Sequence, residues 1–221
     1  LMGTDVHIDN KGDGPKVLIF HTHAHEMYAD SKEGEGVIGA GELLKTTLEE
    51  KYGIECLHVT ESFDIVDGSL QILGAYERME PRIREILEDN PSIEMVIDLH
   101  RDGVAENVRL VSEVDGVNCA KIMFFNGLCQ KVDSDGVLRP AEGLENPYVT
   151  ENLALSLKAQ MQANSLYPGI TRKIYLNAYR YSLHMKPMSM LIELGAQTNT
   201  EEEVHNSVER LARILYETSF S

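Results

Sequence analysis

Short apolar runs alternate with longer helical patterns along most of this 221-residue chain. The run KVLIF at 16–20 predicts a buried strand, and a helical pattern follows it from Gly39 to Lys51. A second strand is predicted at 54–59, a long amphipathic helix from Ser69 to Asn90, and a third strand from Glu94 to Leu99. Because such units join by right-handed crossovers, the order predicts an α/β fold. Its sheet should be mixed and largely parallel, with helices on both faces.

The second half of the chain continues this pattern. NVRLVSEV and CAKIMFFNG predict two more strands, and MSMLIELG at 188–195 predicts the last buried strand. A helix is predicted from Val149 to Leu166, with Leu153, Leu157 and Met161 on its core face. Thr200 and Glu203 predict the capping box of a C-terminal helix. The predicted core stripe of that helix consists of Val204, Val208, Leu211 and Leu215.

The domain organisation follows from the same patterns. Residues 1–15 are polar and glycine-rich, so we expect a flexible leader, followed by a single domain at 16–221. The opening lacks the basic segment and the following apolar segment of a signal peptide. Because this opening looks arbitrary for a natural start, we expect the chain to be the excised soluble part of an anchored protein. The formal net charge of −16 and the absence of Lys/Arg-rich runs make nucleic acid an unsuitable partner.

Polar side chains follow three of the predicted strands at the point where each ends. VLIF continues into HTHAHE, MVID into LHRD, and MLI into ELG. In HTHAHE, His23 and Glu26 form an H-x-x-E pair, and His100 comes from the second of these strands. Two imidazoles and a carboxylate are a ligand set for Zn²⁺ that leaves one position for water. Glu193 is then the unligated carboxylate, suited to general base and acid catalysis.

The chain resembles the stage II sporulation protein P family of cell-wall hydrolases. The resemblance rests on VLIFHTHAHEMY, VIDLHRD, ENLALSLKAQMQANSLYPGITR and MLIELGAQTNT, and it extends over nearly the whole length from about Lys16. Through that family the chain is similar to zinc N-acetylmuramoyl-L-alanine amidases and, more distantly, to zinc carboxypeptidases. The resemblance implies a zinc exopeptidase-like or amidase-like fold. It also implies cleavage of the amide between N-acetylmuramic acid and L-Ala, with cleavage of peptide cross-links as a second activity.

The same resemblance implies a cellular setting. The substrate would be the glycan strand and stem peptide of peptidoglycan during spore engulfment. The full-length protein would be extracytoplasmic and held by an N-terminal anchor at the septal or engulfing membrane. Two partners are implied, a lytic transglycosylase (stage II sporulation protein D) and a membrane protein (stage II sporulation protein M).

Several residues near the predicted ligands have open roles. The family pattern HTHTTESY differs from HTHAHEMY here, which adds His25 beside the glutamate. Strand alternation, if it continued past Phe20, would place His21, His23 and His25 on one side, so other histidine pairs compete with His23 and Glu26. Asp98 and Asp102 are candidates for orienting the ligands. Arg101 is the candidate cation for the tetrahedral oxyanion, although its neighbour on a strand points the other way.

Other interpretations compete with the amidase hypothesis. A different zinc hydrolase, such as a carboxypeptidase or an acyl-amino-acid deacylase, would need an arginine for a free carboxylate, with Arg101, Arg172 and Arg180 as candidates. A wall-binding scaffold without turnover is the third hypothesis. GEGVIG at 34–39 matches a dinucleotide motif, but it lies too far after the first strand, so its glycines more plausibly start a helix or let a loop approach the site. His58 and His184 lack evident partners and are expected at the surface.

Overall fold

The sheet carries polar side chains on one face and helices mainly on the other. A computed structural model describes residues 1–221. The helices are α1 (Val37–Tyr52), α2 (Ala75–Asp89), α3 (Val149–Leu166) and α4 (Glu201–Ser219). The strands are β1 (Val17–Phe20), β2 (Cys56–His58), β3 (Ile65–Val66), β4 (Ser69–Leu70), β5 (Met95–Asp102), β6 (Val111–Val114), β7 (Val117–Ala120), β8 (Ile122–Gly127), β9 (Gln130–Val132), β10 (Leu138–Pro140), β11 (Tyr175–Asn177) and β12 (Ser189–Ala196).

The central sheet has six strands in the order β11-β8-β12-β5-β1-β2. The pairs β1/β2, β1/β5, β5/β12 and β8/β11 are parallel, and only β8/β12 is antiparallel. The predicted α/β fold with a mixed, largely parallel sheet is therefore confirmed. The parallel strands β1, β5 and β12 lie side by side, so their carboxyl ends share one edge of the sheet.

The two faces of the sheet are covered unequally. The largest core cluster joins one face of the sheet to α1, α3 and α4. On the other face, Leu18, Phe20 and Val96 pack against Met79, Ile83 and Ile86 of α2. The other end of this face is covered by Leu183, which packs against Met123, Phe125 and Leu191. The polar side chains of β5 and β12 lie between these two apolar clusters.

Most helix predictions are confirmed. The structure has the predicted bounds of α3, the predicted core stripe of α4, and the Thr200–Glu203 capping box. Gly53 ends α1 in the left-handed conformation with φ of 66°. Gly36 (φ 74°) precedes α1, and a Cβ there would lie 2.5 Å from the Glu26 carbonyl oxygen. Of the motif glycines, Gly36 bears out both alternatives, since it begins the helix and lets the backbone approach the loop after β1.

Two predictions are wrong, the start of α2 and the core face of α3. The helix predicted from Ser69 begins only at Ala75, because residues 65–70 form the β3/β4 hairpin. Pro81 lies inside this helix without interrupting it. The predicted core face of α3 is its outer face, with Met161 exposed, because small residues allow α3 to pack closely against its neighbours. The buried side chains of α3 are Asn152, Ala154, Leu155, Ser156, Ala159 and Ala163.

The segment predicted as a flexible leader packs on the core. Val6 and Ile8 are buried in the largest cluster, and the Ile8 N–H donates to the Ser219 carbonyl at 2.7 Å. Their apolar side chains alternate with polar ones, so the segment can bury one side while keeping the other in water. None of the helices combines the length and the apolar character needed to span a bilayer.

Candidate functional site

The candidate site lies on the face that packs against α2, toward the carboxyl ends of β1, β5 and β12. His100 on β5 is the direct register partner of Glu193 on β12. The rings of His23 and His100 pack edge to face with 5.4 Å between their centroids, and Glu26 Oε2 lies 3.3 Å from His100 Nδ1. We call His23, Glu26, His100 and Glu193 the cleft cluster. The structure thus brings together the predicted ligands and the predicted general base.

The turn after β1 explains how His23 reaches this face. β1 ends at Phe20, and residues 22–25 form turns. The buried Asp98 carboxylate accepts hydrogen bonds from the Thr22 N–H at 2.9 Å and the Thr22 hydroxyl at 2.7 Å. Because the strand does not continue, the idea that His21, His23 and His25 share one side is wrong.

A short irregularity in β12 follows Glu193. The register of β12 against β5 shifts between Glu193 and Ala196, and Gly195 takes a φ of 67°. A Cβ at Gly195 would lie 2.8 Å from Asn199 Oδ1, so the site favours glycine. Such bulges re-aim neighbouring side chains near functional sites.

Buried charge dominates the electrostatics of the cleft cluster. Burial raises the pKa of Glu193 to about 7; the nearby His100 opposes this shift, and the surrounding carboxylates reinforce it. Burial lowers the pKa of His23, with His100 acting in the same direction, which favours its neutral imidazole. Burial alone would lower the pKa of His100, but Asp98 and Glu26 raise it well above the usual histidine range.

Three polar atoms of the cleft cluster are buried without a hydrogen bond: His23 Nδ1, His100 Nε2 and Glu193 Oε2. An unpaired buried polar atom costs free energy, about 1–3 kcal/mol, so such atoms need a reason to persist. His100 Nε2 lies 2.7 Å from Asp98 Oδ1, although the angle at the ring nitrogen is poor for a hydrogen bond. An imidazole backed by a carboxylate is the arrangement that metal-ligating histidines use.

The donor set fits a zinc ion by chemistry, although its geometry is not yet that of a bound site. His23 Nδ1 is free, His100 presents Nδ1 toward Glu26, and the third group is a carboxylate. No three His, Cys, Asp or Glu side chains are already arranged to hold an ion.

His21 belongs to a second cluster on the helix side of the sheet. Its Nδ1 lies 2.8 Å from the Leu99 carbonyl, which can only accept, so Nδ1 donates. Its Nε2 lies 2.9 Å from His58 Nε2, and His58 Nδ1 lies 2.9 Å from Glu42 Oε2. We call His21, His58 and Glu42 the helix-side cluster. Both ring nitrogens of His21 are engaged, and burial lowers its pKa to about 3, with His58 adding to the effect.

The remaining predicted residues have other contacts. His25 is half-exposed and pairs with the buried Asp64 at 2.8 Å. The Arg101 guanidinium donates to the Met27 carbonyl at 2.8 Å, while its backbone N–H donates to Glu26 Oε2 at 3.0 Å. Asp102 pairs with Arg172.

The expectation that His58 and His184 lie at the surface is wrong. The His58 side chain is only 2% exposed, and His184 is buried with its Nε2 2.9 Å from Glu80 Oε1. Their partners are distant in sequence and could not be read from local patterns. Sequence reasoning also missed Tyr76, whose ring packs edge to face on His23 with 5.7 Å between centroids. Its apolar helical spacing marked it as a core residue.

Comparison with known proteins gives consistent results. The family model described as Stage II sporulation protein P matches residues 4–216. The Stage II sporulation protein P of Bacillus subtilis is 21% identical over 93% of this chain. The chain spans 51% of that relative, about half its length.

Two solved structures share the fold. The CwlD amidase from Clostridioides difficile, determined in complex with the GerS lipoprotein, is 14% identical, with a TM-score of 0.52 over 91% of this chain and 94% of its own. The N-acetylmuramoyl-L-alanine amidase AmiC2 of Nostoc punctiforme is 15% identical, with a TM-score of 0.50 over 93% and 98% of the two chains. At these identities the likeness establishes a common architecture.

Proposed function

The chain belongs to the stage II sporulation protein P family, and we propose that it hydrolyses peptidoglycan as a zinc-dependent N-acetylmuramoyl-L-alanine amidase. The observation that carries this proposal is the convergence of His23, Glu26 and His100 beside Glu193. The amidase fold shared with CwlD and AmiC2 supports the same reaction class.

His23, Glu26 and His100 would hold the zinc ion. Bound zinc would supply Lewis acidity, lowering the pKa of a bound water and polarising the scissile carbonyl. Asp98 would keep the His100 ring in place from behind, since it lies 2.7 Å from Nε2. The Arg101 backbone N–H would orient Glu26 through its hydrogen bond to Oε2.

Glu193 would move the proton. Its Oε2 has no partner within the protein, and its Cα is paired in register with that of the proposed ligand His100. It would accept a proton from the attacking water and deliver it to the amide nitrogen as the bond to L-Ala breaks. The Arg101 guanidinium remains our candidate for stabilising the oxyanion, which would require it to leave its contact with Met27.

The competing hydrolases find less support. A carboxypeptidase or acyl-amino-acid deacylase would bind a free carboxylate with an arginine. Two of the three candidates are already paired with carboxylates, Arg172 with Asp102 and Arg180 with Glu80, which leaves only Arg101 for this role. A scaffold without turnover would have no use for an unpartnered, buried Glu193.

Digestion of purified muropeptides with the zinc-supplied chain tests the proposal. We expect free stem peptides with a new L-Ala amino terminus, identified by mass spectrometry, and close to one zinc per chain by metal analysis. Products cut within the peptide cross-links would instead identify an endopeptidase, and loss of terminal residues a carboxypeptidase. Binding without products would leave the scaffold as the function.

We place this activity outside the cytoplasm, at the engulfing membrane of a sporulating cell, as family membership suggests. An anchor in the full-length protein and partnership with stage II sporulation proteins D and M are part of the same proposal. Co-purification of the full-length protein from sporulating cells would test the partners.

A further inference from the structure

A row of tyrosines begins at the cleft cluster and leads away from it. Tyr76 packs against His23 at 5.7 Å and against Tyr181 at 5.7 Å between ring centroids. Tyr181 contacts Tyr179 at 6.2 Å, and Tyr179 is 61% exposed. We call Tyr76, Tyr179 and Tyr181 the tyrosine wall. The cleavage chemistry proposed above uses none of these rings.

The tyrosine wall lines a cavity of about 220 Å³. Leu144 adds apolar surface to this cavity, while Glu80 and Arg180 add polar groups. Aromatic surface combined with a few fixed polar groups is the usual composition of a ligand pocket. Because Tyr76 touches both His23 and Tyr181, a molecule in the cavity would lie next to the proposed reaction centre.

The backbone holds the tyrosine wall in an uncommon conformation. Tyr181 has a φ of 52°, which residues other than glycine rarely adopt. Its hydroxyl accepts a hydrogen bond from Asn177 Nδ2 at 2.7 Å. Gly127 lets this segment lie against β8, because a Cβ there would come within 2.1 Å of the Tyr179 carbonyl oxygen. Strained backbone of this kind concentrates at binding and active sites.

The charges around the cavity indicate what it binds. Arg180 is paired with Glu80 at 3.2 Å, and Glu80 also contacts His184 and Arg84. Because Glu80 already neutralises part of this positive charge, the cavity attracts the carboxylates of a stem peptide only weakly. The formal net charge of −16 further disfavours anionic ligands. Uncharged sugar rings suit the site better, since their C–H faces can cover tyrosine rings while their hydroxyls bond the phenols.

We propose that the tyrosine wall binds the N-acetylated sugar rings of the glycan strand next to the bond that is cleaved. This inference rests on the proposed function, since it takes the glycan as part of the substrate. Tyr179 is then a specificity-determining residue that contacts the sugar and takes no part in the chemistry. Recognition of the polymer comes from neutral stacking contacts, which an acidic protein can use on an anionic wall.

Binding of a neutral probe tests the inference directly. The probe is the linear tetramer of N-acetylglucosamine, titrated into the zinc-supplied chain by NMR or calorimetry. We expect Tyr179→Ala to weaken its binding about tenfold and Tyr179→Phe to retain most of it. Tyr52→Ala is the matched control, because Tyr52 stacks on Tyr216 in the helix layer, away from the cavity. On glycan-bearing muropeptides, Tyr179→Ala should raise KM about tenfold with little change in kcat.

The outcomes separate this inference from the proposed function. Equal affinity of Tyr179→Ala and the unaltered chain for the tetramer overturns the inference, even if amidase activity is present. Tyr179-dependent binding of the free stem peptide, with no binding of the tetramer, also overturns it, because the occupant is then the peptide. Tyr179-dependent binding of the tetramer without any hydrolysis supports the inference while the proposed amidase function fails.

Discussion

The two histidine clusters lie on opposite faces of one sheet, and they differ in how their polar atoms are satisfied. In the helix-side cluster, both ring nitrogens of His21 have partners, and His58 connects it to Glu42. In the cleft cluster, His23 Nδ1 and Glu193 Oε2 are buried without partners. Buried polar atoms with partners stabilise a fold, whereas unpaired ones cost stability and need a reason to persist. The difference teaches that residue type alone does not identify a functional histidine.

The largest effect is expected from removing a proposed zinc ligand of the cleft cluster. If zinc content and hydrolysis did not change, the two clusters would not differ in function. We expect His100→Ala to abolish hydrolysis and to reduce bound zinc to well below one per chain, because two donors hold the ion poorly. Metal analysis and muropeptide digestion measure both effects. Full zinc content in this variant would remove His100 from the ligand set.

Replacing the proton carrier should separate binding from chemistry. Glu193→Gln is expected to keep zinc and to lower kcat by about 10²–10⁴-fold, the usual contribution of a general base. Its melting temperature should equal or exceed that of the unaltered chain, since a neutral amide is cheaper to bury than a carboxylate. Unchanged turnover would show that Glu193 has no catalytic role.

The carboxylate behind His100 tests how far the cleft cluster extends. We expect Asp98→Asn to weaken zinc binding about 10–100-fold, because the amide orients the imidazole less firmly. A competitive chelator titration gives the affinity. Asp98 also holds the Thr22 turn, so circular dichroism must show native structure before the affinity is compared.

A substitution in the helix-side cluster should lower the free energy of unfolding without changing zinc binding. His58→Ala removes the partner of the buried His21 Nε2, so we expect a loss of about 1–3 kcal/mol in the free energy of unfolding. Zinc content should stay at the value of the unaltered chain. Denaturant unfolding together with metal analysis checks this, and loss of zinc would make the two clusters alike.

The smallest effect is expected at His25, which belongs to neither cluster. Its side chain is 48% exposed, and the buried Asp64 would keep its bonds from the backbone N–H of residue 25 and from the Ser62 hydroxyl, so His25→Ala should cost only about 1 kcal/mol. Zinc content and kcat should not change. A marked drop in zinc would instead add this histidine to the ligand set.

The spacing of apolar residues predicted most of the fold, because a buried core requires apolar side chains on one face of each helix and strand. The stripe of α4, the capping box at Thr200 and the bounds of α3 all follow from local patterns. Sequence alone could not predict which face of α3 is buried, since the helix has leucines on one side and alanines on another. Close packing of the helix selects the small side chains, and only the folded structure shows which neighbours require them.

The sequence predicted only those site residues that lie near the carboxyl ends of predicted strands. His23 and Glu26 follow β1, whereas His100 and Glu193 lie inside β5 and β12 toward their carboxyl ends, and the structure places the four together. The sequence could not separate His21 from His23, because β1 ends at Phe20 and alternation no longer applies. The tyrosine wall depends on the irregular backbone of Tyr181 and on Gly127, and neither leaves a periodic signal.

The alignment of β5 with β12 sets a condition on when such a protein can work. Glu193 faces the cleft because it is opposite His100, and a slip of one residue would turn it toward the helices. With the proposed function, a chain in which β5 and β12 are unpaired or misaligned would lack the arrangement of Glu193 and His100 and so would not cleave the wall prematurely.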